Sequence, residues 1–229
     1  MVTEEFWKLF SPEDRARMEE NHRRYREAGK GLFKDLAKIG FDVESLSDMG
    51  WPGYDGRAAV GTLLEWLPRI DYVPLKQDIV GTLGEPWAHP EALRPLIEWF
   101  RRIAPGDDTS KIGEPIGDAI RRIADESVRD DLLELAQDPR YGSSRAGIIF
   151  ALGRLRKSKA VVIPVLIKLL DDDTVNIHAA EVLGNMHAAQ AEPSLKEMAE
   201  GSDENRQRAA KAALAKIRRA EKRKAAAPP

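Results

Sequence analysis

The chain has 229 residues, 42% hydrophobic and 32% charged, with 36 Lys and Arg against 38 Asp and Glu for a formal net charge of −2. That length suits one or two domains with a sizeable core, and the balanced charge argues against a general nucleic-acid or membrane partner. The absence of cysteine excludes disulfides, thiolate metal sites and a cysteine nucleophile, and fits a reducing compartment.

The first ten residues carry Glu4, Glu5 and Lys8 in place of a signal peptide's apolar run, and nowhere does an apolar stretch approach the roughly 18–20 residues of a membrane span. A cytoplasmic protein is the expectation. Ser11-Pro12-Glu13-Asp14 predicts a helix start, with a serine cap, proline at the first position and acids in the first turn. That helix is expected to run to about Glu27, to be interrupted by Gly29 and Gly31, and to be followed by a second helix through Leu32, Phe33, Leu36 and Ile39 that Gly40 ends. Residues 41–49 read as a connector, and 1–50 as an N-terminal helical cap covering the first apolar face of a repeat array.

From residue 51 an internal repeat carries the reading. A five-residue apolar core begins at Leu63, Leu96, Leu132, Leu166 and Leu195, and the middle residue is Glu in all but one copy. Three- and four-residue apolar spacing makes each core the buried stripe of a first helix. Second helices are anchored at Leu83, Ile120, Leu152, Leu183 and Leu214, with small residues such as Gly84, Gly153, Ala179, Ala180, Gly184 and Ala209 allowing close helix contact. Polar clusters punctuate the joins, among them Asp107-Asp108-Thr109-Ser110, Asp138-Pro139-Arg140, Asp171-Asp172-Asp173-Thr174 and Gly201-Ser202-Asp203. Pro95, Pro164 and Pro193 each precede an apolar core and are expected to bend a first helix. No stretch alternates as a strand does, so the class is all-α.

These residues resemble HEAT repeats, in particular the short HEAT-like type named after phycobilisome lyases. The clearest match is 160–186, with its proline-containing first helix, its aspartate turn and the second helix Ala179-Ala180-Glu181-Val182-Leu183-Gly184. The arginine usual after the valine of the second helix is Asn176 here. Its equivalents Lys76, Gly113, Arg145 and Gln207 keep the basic character twice. The resemblance covers 51–218, with 219–229 a basic, Ala-Pro tail. It implies a right-handed α-α superhelix, a HEAT-like or armadillo-type solenoid of about five hairpins whose second helices line the concave face. No lyase residues can be matched, so lyase activity does not carry over.

Candidate contact residues follow from that arrangement. Phe150 aligns with Gly81, Asp118, Glu181 and Ala212, positions expected to face outward. With Tyr141 and Arg145 on the same second helix, and Lys76, Asn176, His178, Glu181 and Asn185 on others, it forms a candidate strip for a partner protein. Trp87, beside His89 in a loop between repeats, reads either as an interface anchor or as packing over helix ends, with His89 as a cap. Trp51-Pro52-Gly53-Tyr54 reads as a wedge at the joint between cap and repeats. His178, Glu181 and His187 lack a third converging metal ligand, and Asp171 to Asp173 read as helix caps better than as a cation loop. Nine basic residues against the single acid Glu221 over 206–224 suit a soluble end cap, or contact with an acidic protein or nucleic acid. There is no phosphate loop, nucleophile elbow or paired catalytic motif. A non-enzymatic interaction scaffold without a cofactor is the leading expectation. The alternatives are a DNA-binding relative of the HEAT-like alkylpurine glycosylases and a bacterial immunity or regulatory protein.

Overall fold

The computed structural model describes residues 10–51, 53–103 and 111–226. Pro52, the 107–110 part of the long turn and the last three tail residues lie outside them. Among the described residues there are eleven α-helices, short 3-10 turns and no strand. The chain divides into two compact units, Met1–Leu83 and Gly84–Pro229.

The first unit holds α1 (Pro12–Lys38), α2 (Val60–Trp66) and α3 (Val73–Leu83). Ser11 caps α1 as expected, its Oγ accepting the Asp14 amide at 3.1 Å. The helix then runs unbroken through Gly29 and Gly31, which corrects the expected interruption. Both glycines are places where a side chain has no room. A β-carbon on Gly29 would press on Phe33 and stand 3.2 Å from Leu75, and one on Gly31 would enter the Trp66 indole. Glycine inside a helix costs about 1 kcal/mol relative to alanine, and burying Leu75 and seating Trp66 against α1 offsets it. The Trp66 indole also donates to Asp35 at 3.1 Å. α1 ends before Gly40, whose φ of +94° is in the left-handed region that stops a helix.

The connector is a capped 3-10 turn, Leu46–Gly50, that buries Leu46 and Met49. The Tyr25 hydroxyl donates to Asp78 at 2.8 Å, tying α1 to α3. Burial and that carboxylate push the phenol well above its ordinary range. Trp51 is 71% exposed, so it does not act as the sealing wedge.

The second unit is four hairpins: α4 (Leu93–Arg101) with α5 (Gly113–Ile123), α6 (Arg129–Gln137) with α7 (Arg145–Leu152), α8 (Lys159–Lys168) with α9 (Asn176–Asn185), and α10 (Glu192–Glu200) with α11 (Glu204–Ala226). The five repeated cores fall in α2, α4, α6, α8 and α10. In each, the first residue is buried and the middle one, Glu65, Glu98, Glu134, Lys168 or Glu197, is exposed. Of the three prolines before the cores, only Pro164 sits beyond the first turn of its helix. Pro193 and Pro95 lie in the first turns of α10 and α4, where the amide has no intrahelical acceptor to lose; the physical cause for the expected common bend is therefore missing from α4 and α10.

Second helices pack on one another through small residues. β-Carbons on Gly84 and Gly184 would stand 2.7 Å from the Ala119 and Ala213 α-carbons, and one on Gly147 would strike the Gly117 backbone. Polar links join neighbouring hairpins. Arg101 reaches Asp131 at 2.7 Å and Glu134 at 2.9 Å, Arg122 reaches Glu85 at 2.7 Å, and Glu126 accepts from Ser158 and from the Lys157 amide. The Arg101 pairs hold its guanidinium protonated even more firmly than usual.

Candidate functional site

The outer faces of α5, α7 and α9 enclose an open groove of about 630 Å³. Its position on each helix repeats. Asp118, Phe150 and Glu181, the aligned outward positions, stand along the groove, while Glu114, Ala146, Gly147, His178 and Asn185 fill the adjacent turns. The spacing is helical: residues three or four apart share a face. Phe150 contributes the aromatic surface, with the His178 ring edge-on to it at 5.7 Å and 83°. The His178 Nδ1 is buried and has no hydrogen-bond partner among the described residues.

Acids dominate the polar lining. Glu114, Asp118 and Glu181 stand there against Arg121; Asp118 is paired with both Arg121 and Arg122, which leaves Glu114 and Glu181 without an ion pair among the described residues. Glu181 is exposed and meets no cation among the described residues. It also borders a second, more apolar hollow of about 370 Å³ between α9 and α11, lined by Ile177, Ala209, Ala212 and Ala213. Asn185 bridges the two helices by accepting from Lys216 at 2.7 Å.

No family model and no curated protein matches the sequence. Among solved structures, the chain is similar to a designed armadillo repeat protein in complex with the peptide (KR)4. The TM-score is 0.51 at 17% identity, covering 92% of this chain and 97% of that one. A second designed armadillo repeat protein aligns with TM-score 0.44 at 17% identity, over 75% of this chain and 90% of that one. The first likeness agrees with the architecture just described: an all-helical repeat solenoid of the armadillo type.

The structure brings Phe150, His178, Glu181 and Asn185 together in the groove and takes three predicted residues, Arg145, Asn176 and Tyr141, away from it. Arg145 is 1% exposed. Its guanidinium donates to the Gly142 carbonyl at 3.0 Å and the Ala136 carbonyl at 3.3 Å, and pairs with Asp172 at 2.8 Å. Asn176, also 1% exposed, is the first residue of α9 and donates to Asp173 at 3.4 Å. Both lie at the start of a second helix, where the side chain turns inward to the hairpin bend. Tyr141 precedes α7 in a 3-10 turn. Its ring packs 5.1 Å from Phe100 and its hydroxyl donates to the Arg101 carbonyl at 3.3 Å, away from the groove.

Trp87 is half-buried in the turn Pro86–Ala88. His89 beside it faces Asp125 at 2.7 Å across one repeat, which replaces the expected helix-capping role. The Asp125 carboxyl is held below its ordinary range, first by the Ser127 hydroxyl and, among lesser causes, by His89. Lys76 is a half-buried residue of α3 in the first unit.

The aspartate run does more than cap. Asp172 accepts from Arg145 of the preceding repeat and Asp173 from Arg206 of the following one, at 2.8 Å each. Burial pushes the Asp172 carboxyl up, but Arg145 and the Thr174 amide outweigh it and leave the group below its ordinary range. Among the described residues no three acids or histidines converge as a metal site would require. No helix there is long and apolar enough to cross a membrane. Glu114, Asp118 and Arg121 are groove residues missing from the predicted strip; the position equivalent to Phe150 on α5 is Asp118, and the other two stand one turn to either side of it.

Proposed function

We propose that the protein is a non-enzymatic interaction scaffold whose α5–α7–α9 groove receives an extended, positively charged segment of another protein. The observation that carries this reading is the groove's composition: Phe150 at its centre, Glu114 and Glu181 beside it without an ion pair among the described residues, and Asp118 paired with Arg121, the one arginine of the lining, and with Arg122. An aromatic face between carboxylates suits a Lys or Arg side chain, which can lie over the ring while its charge meets an acid. Groove-side acids repel a phosphate backbone, which weighs against the DNA-repair alternative at this surface. The (KR)4 complex of the similar designed protein is in keeping with such an occupant.

The HEAT-like assignment belongs to the same proposal. Its support is Arg145, which stands at the family's basic position and bridges to the next repeat's aspartate turn. We also place α1 as the cap of the array and the protein in a reducing, cytoplasmic setting, consistent with the absence of cysteine.

A peptide array of extended sequences with stepped net charge tests the proposal. Selection of Lys- and Arg-rich members, weakened about tenfold or more by Phe150→Ala, is the expected result. Equal capture of acidic and basic members, or indifference to Phe150→Ala, overturns it.

A further inference from the structure

The last helix carries a second charged surface, opposite in sign to the groove. Its last fully buried residue is Ile217, yet α11 continues to Ala226 with 218, 219 and 221–225 exposed. Arg208, Lys211, Arg218, Arg219 and Lys222 recur at helical spacing on the outward face, which begins at Arg208 beside the α9–α11 hollow and runs away from it toward the end of the helix. At 1.5 Å per residue they form a stripe about 21 Å long. The cations on the inward flanks are engaged: Arg206 pairs with Asp173, and Lys216 donates to Asn185. Arg208, Arg218, Arg219, Lys222, Arg223 and Lys224 make no ion pair or hydrogen bond among the described residues.

End capping accounts for only part of this. The helix dipole favours cations in the final turn, but Arg208 and Lys211 stand near the other end. Like charges three and four apart, as at 219/222 and 218/222, weaken a helix. Keeping an array end soluble requires only mixed charge.

The chemistry of the face narrows what it fits. Its uncharged members are alanines, Ala212 and Ala215, so it has no large apolar side chain to enter a lipid surface. It has no aromatic to stack a single-stranded base and no anchor of the kind that dominates protein interfaces. A row of guanidinium and ammonium groups matches regularly spaced phosphates, which arginine engages as a fork. We propose that the outward face of α11 binds the phosphate backbone of duplex nucleic acid without reading its sequence. The near-neutral whole-chain charge conceals this, because the acids are collected elsewhere.

The test uses the full chain and a fluorescent random-sequence DNA duplex of about 20 base pairs, titrated at stepped salt. Neutralising four or five phosphates predicts a log–log salt slope of about −4. The triple variant Arg218→Glu, Arg219→Glu, Lys222→Glu should bind at least tenfold more weakly with a slope about 3 smaller, and its thermal midpoint should stay within a few degrees because these side chains touch no core. A second triple variant with glutamine at the same positions should show the same loss should the reversal disturb the helix. Replacing both arginines with lysine should keep the slope, and Glu114→Gln in the groove, away from the α9–α11 hollow, should leave duplex binding intact. Absence of binding at about 50 mM salt, undiminished binding by both triple variants, or tighter binding of polyglutamate or of phosphatidylserine vesicles than of duplex each overturns the proposal.

Discussion

The side chain of Arg145 is almost wholly buried. It is held by two backbone carbonyls and the Asp172 carboxylate of the next hairpin. A buried ion left without its partner is expensive, so Arg145→Ala and Asp172→Asn should both destabilise the second unit, the former by about 3 kcal/mol. Urea unfolding at neutral pH measures this; a loss below about 1 kcal/mol for Arg145→Ala would show that the pair is dispensable. The lowered Asp172 carboxyl fixes the sign of the pH dependence. Its contribution is complete above the unfolded value near 3.9 and fades as pH falls through the still lower folded value. The stability difference between wild type and Asp172→Asn should therefore shrink as pH falls below about 3.9. A difference that stays constant through acid contradicts the assignment. Sequence alone marked Arg145 as the family's basic position but placed it on the binding strip. One-residue differences around a helix start decide between groove and interior, and periodicity does not resolve them.

The helices themselves were legible because each apolar stripe repeats at a helical period and each join is marked by capping residues. All five predicted cores begin in first helices, two of them ending in the 3-10 turn that follows, and all five anchors lie in second helices. What failed was the treatment of glycine as punctuation. Gly29 and Gly31 are interior residues of α1, chosen for the Leu75 and Trp66 side chains that lie against them; only the tertiary partner reveals that. The same reasoning predicts the outcome at the α5–α7 crossing. Gly147→Ala raises helix propensity by up to about 1 kcal/mol, but its methyl group would meet the Gly117 backbone and force the helices apart. Net destabilisation of about 1–3 kcal/mol is expected; a raised unfolding midpoint would mean that the crossing is looser than described. Polar links were also partly legible, since Arg101–Glu134, Arg122–Glu85 and Arg206–Asp173 span 33, 37 and 33 residues, close to one repeat.

Across the second unit, charge is sorted by surface: carboxylates around Phe150 in the groove, cations on the outward face of α11. A formal charge of −2 describes neither surface, which is why composition could not reveal it. The two surfaces should act separately. Adding duplex should leave affinity for a basic peptide unchanged within about twofold, equivalent to about 0.4 kcal/mol, and competition between them would argue for one shared site. The central claim is that the groove takes a basic segment through its acids and Phe150. Fluorescence anisotropy of a labelled, alternating Lys/Arg peptide, titrated with wild type and with Asp118→Lys/Glu181→Lys, tests it most directly. Saturable binding that weakens with salt and falls at least tenfold in the double variant, with an acidic peptide now bound by that variant, is the predicted result. Equal affinity of both proteins for the basic peptide, or no wild-type binding at low salt, would contradict it.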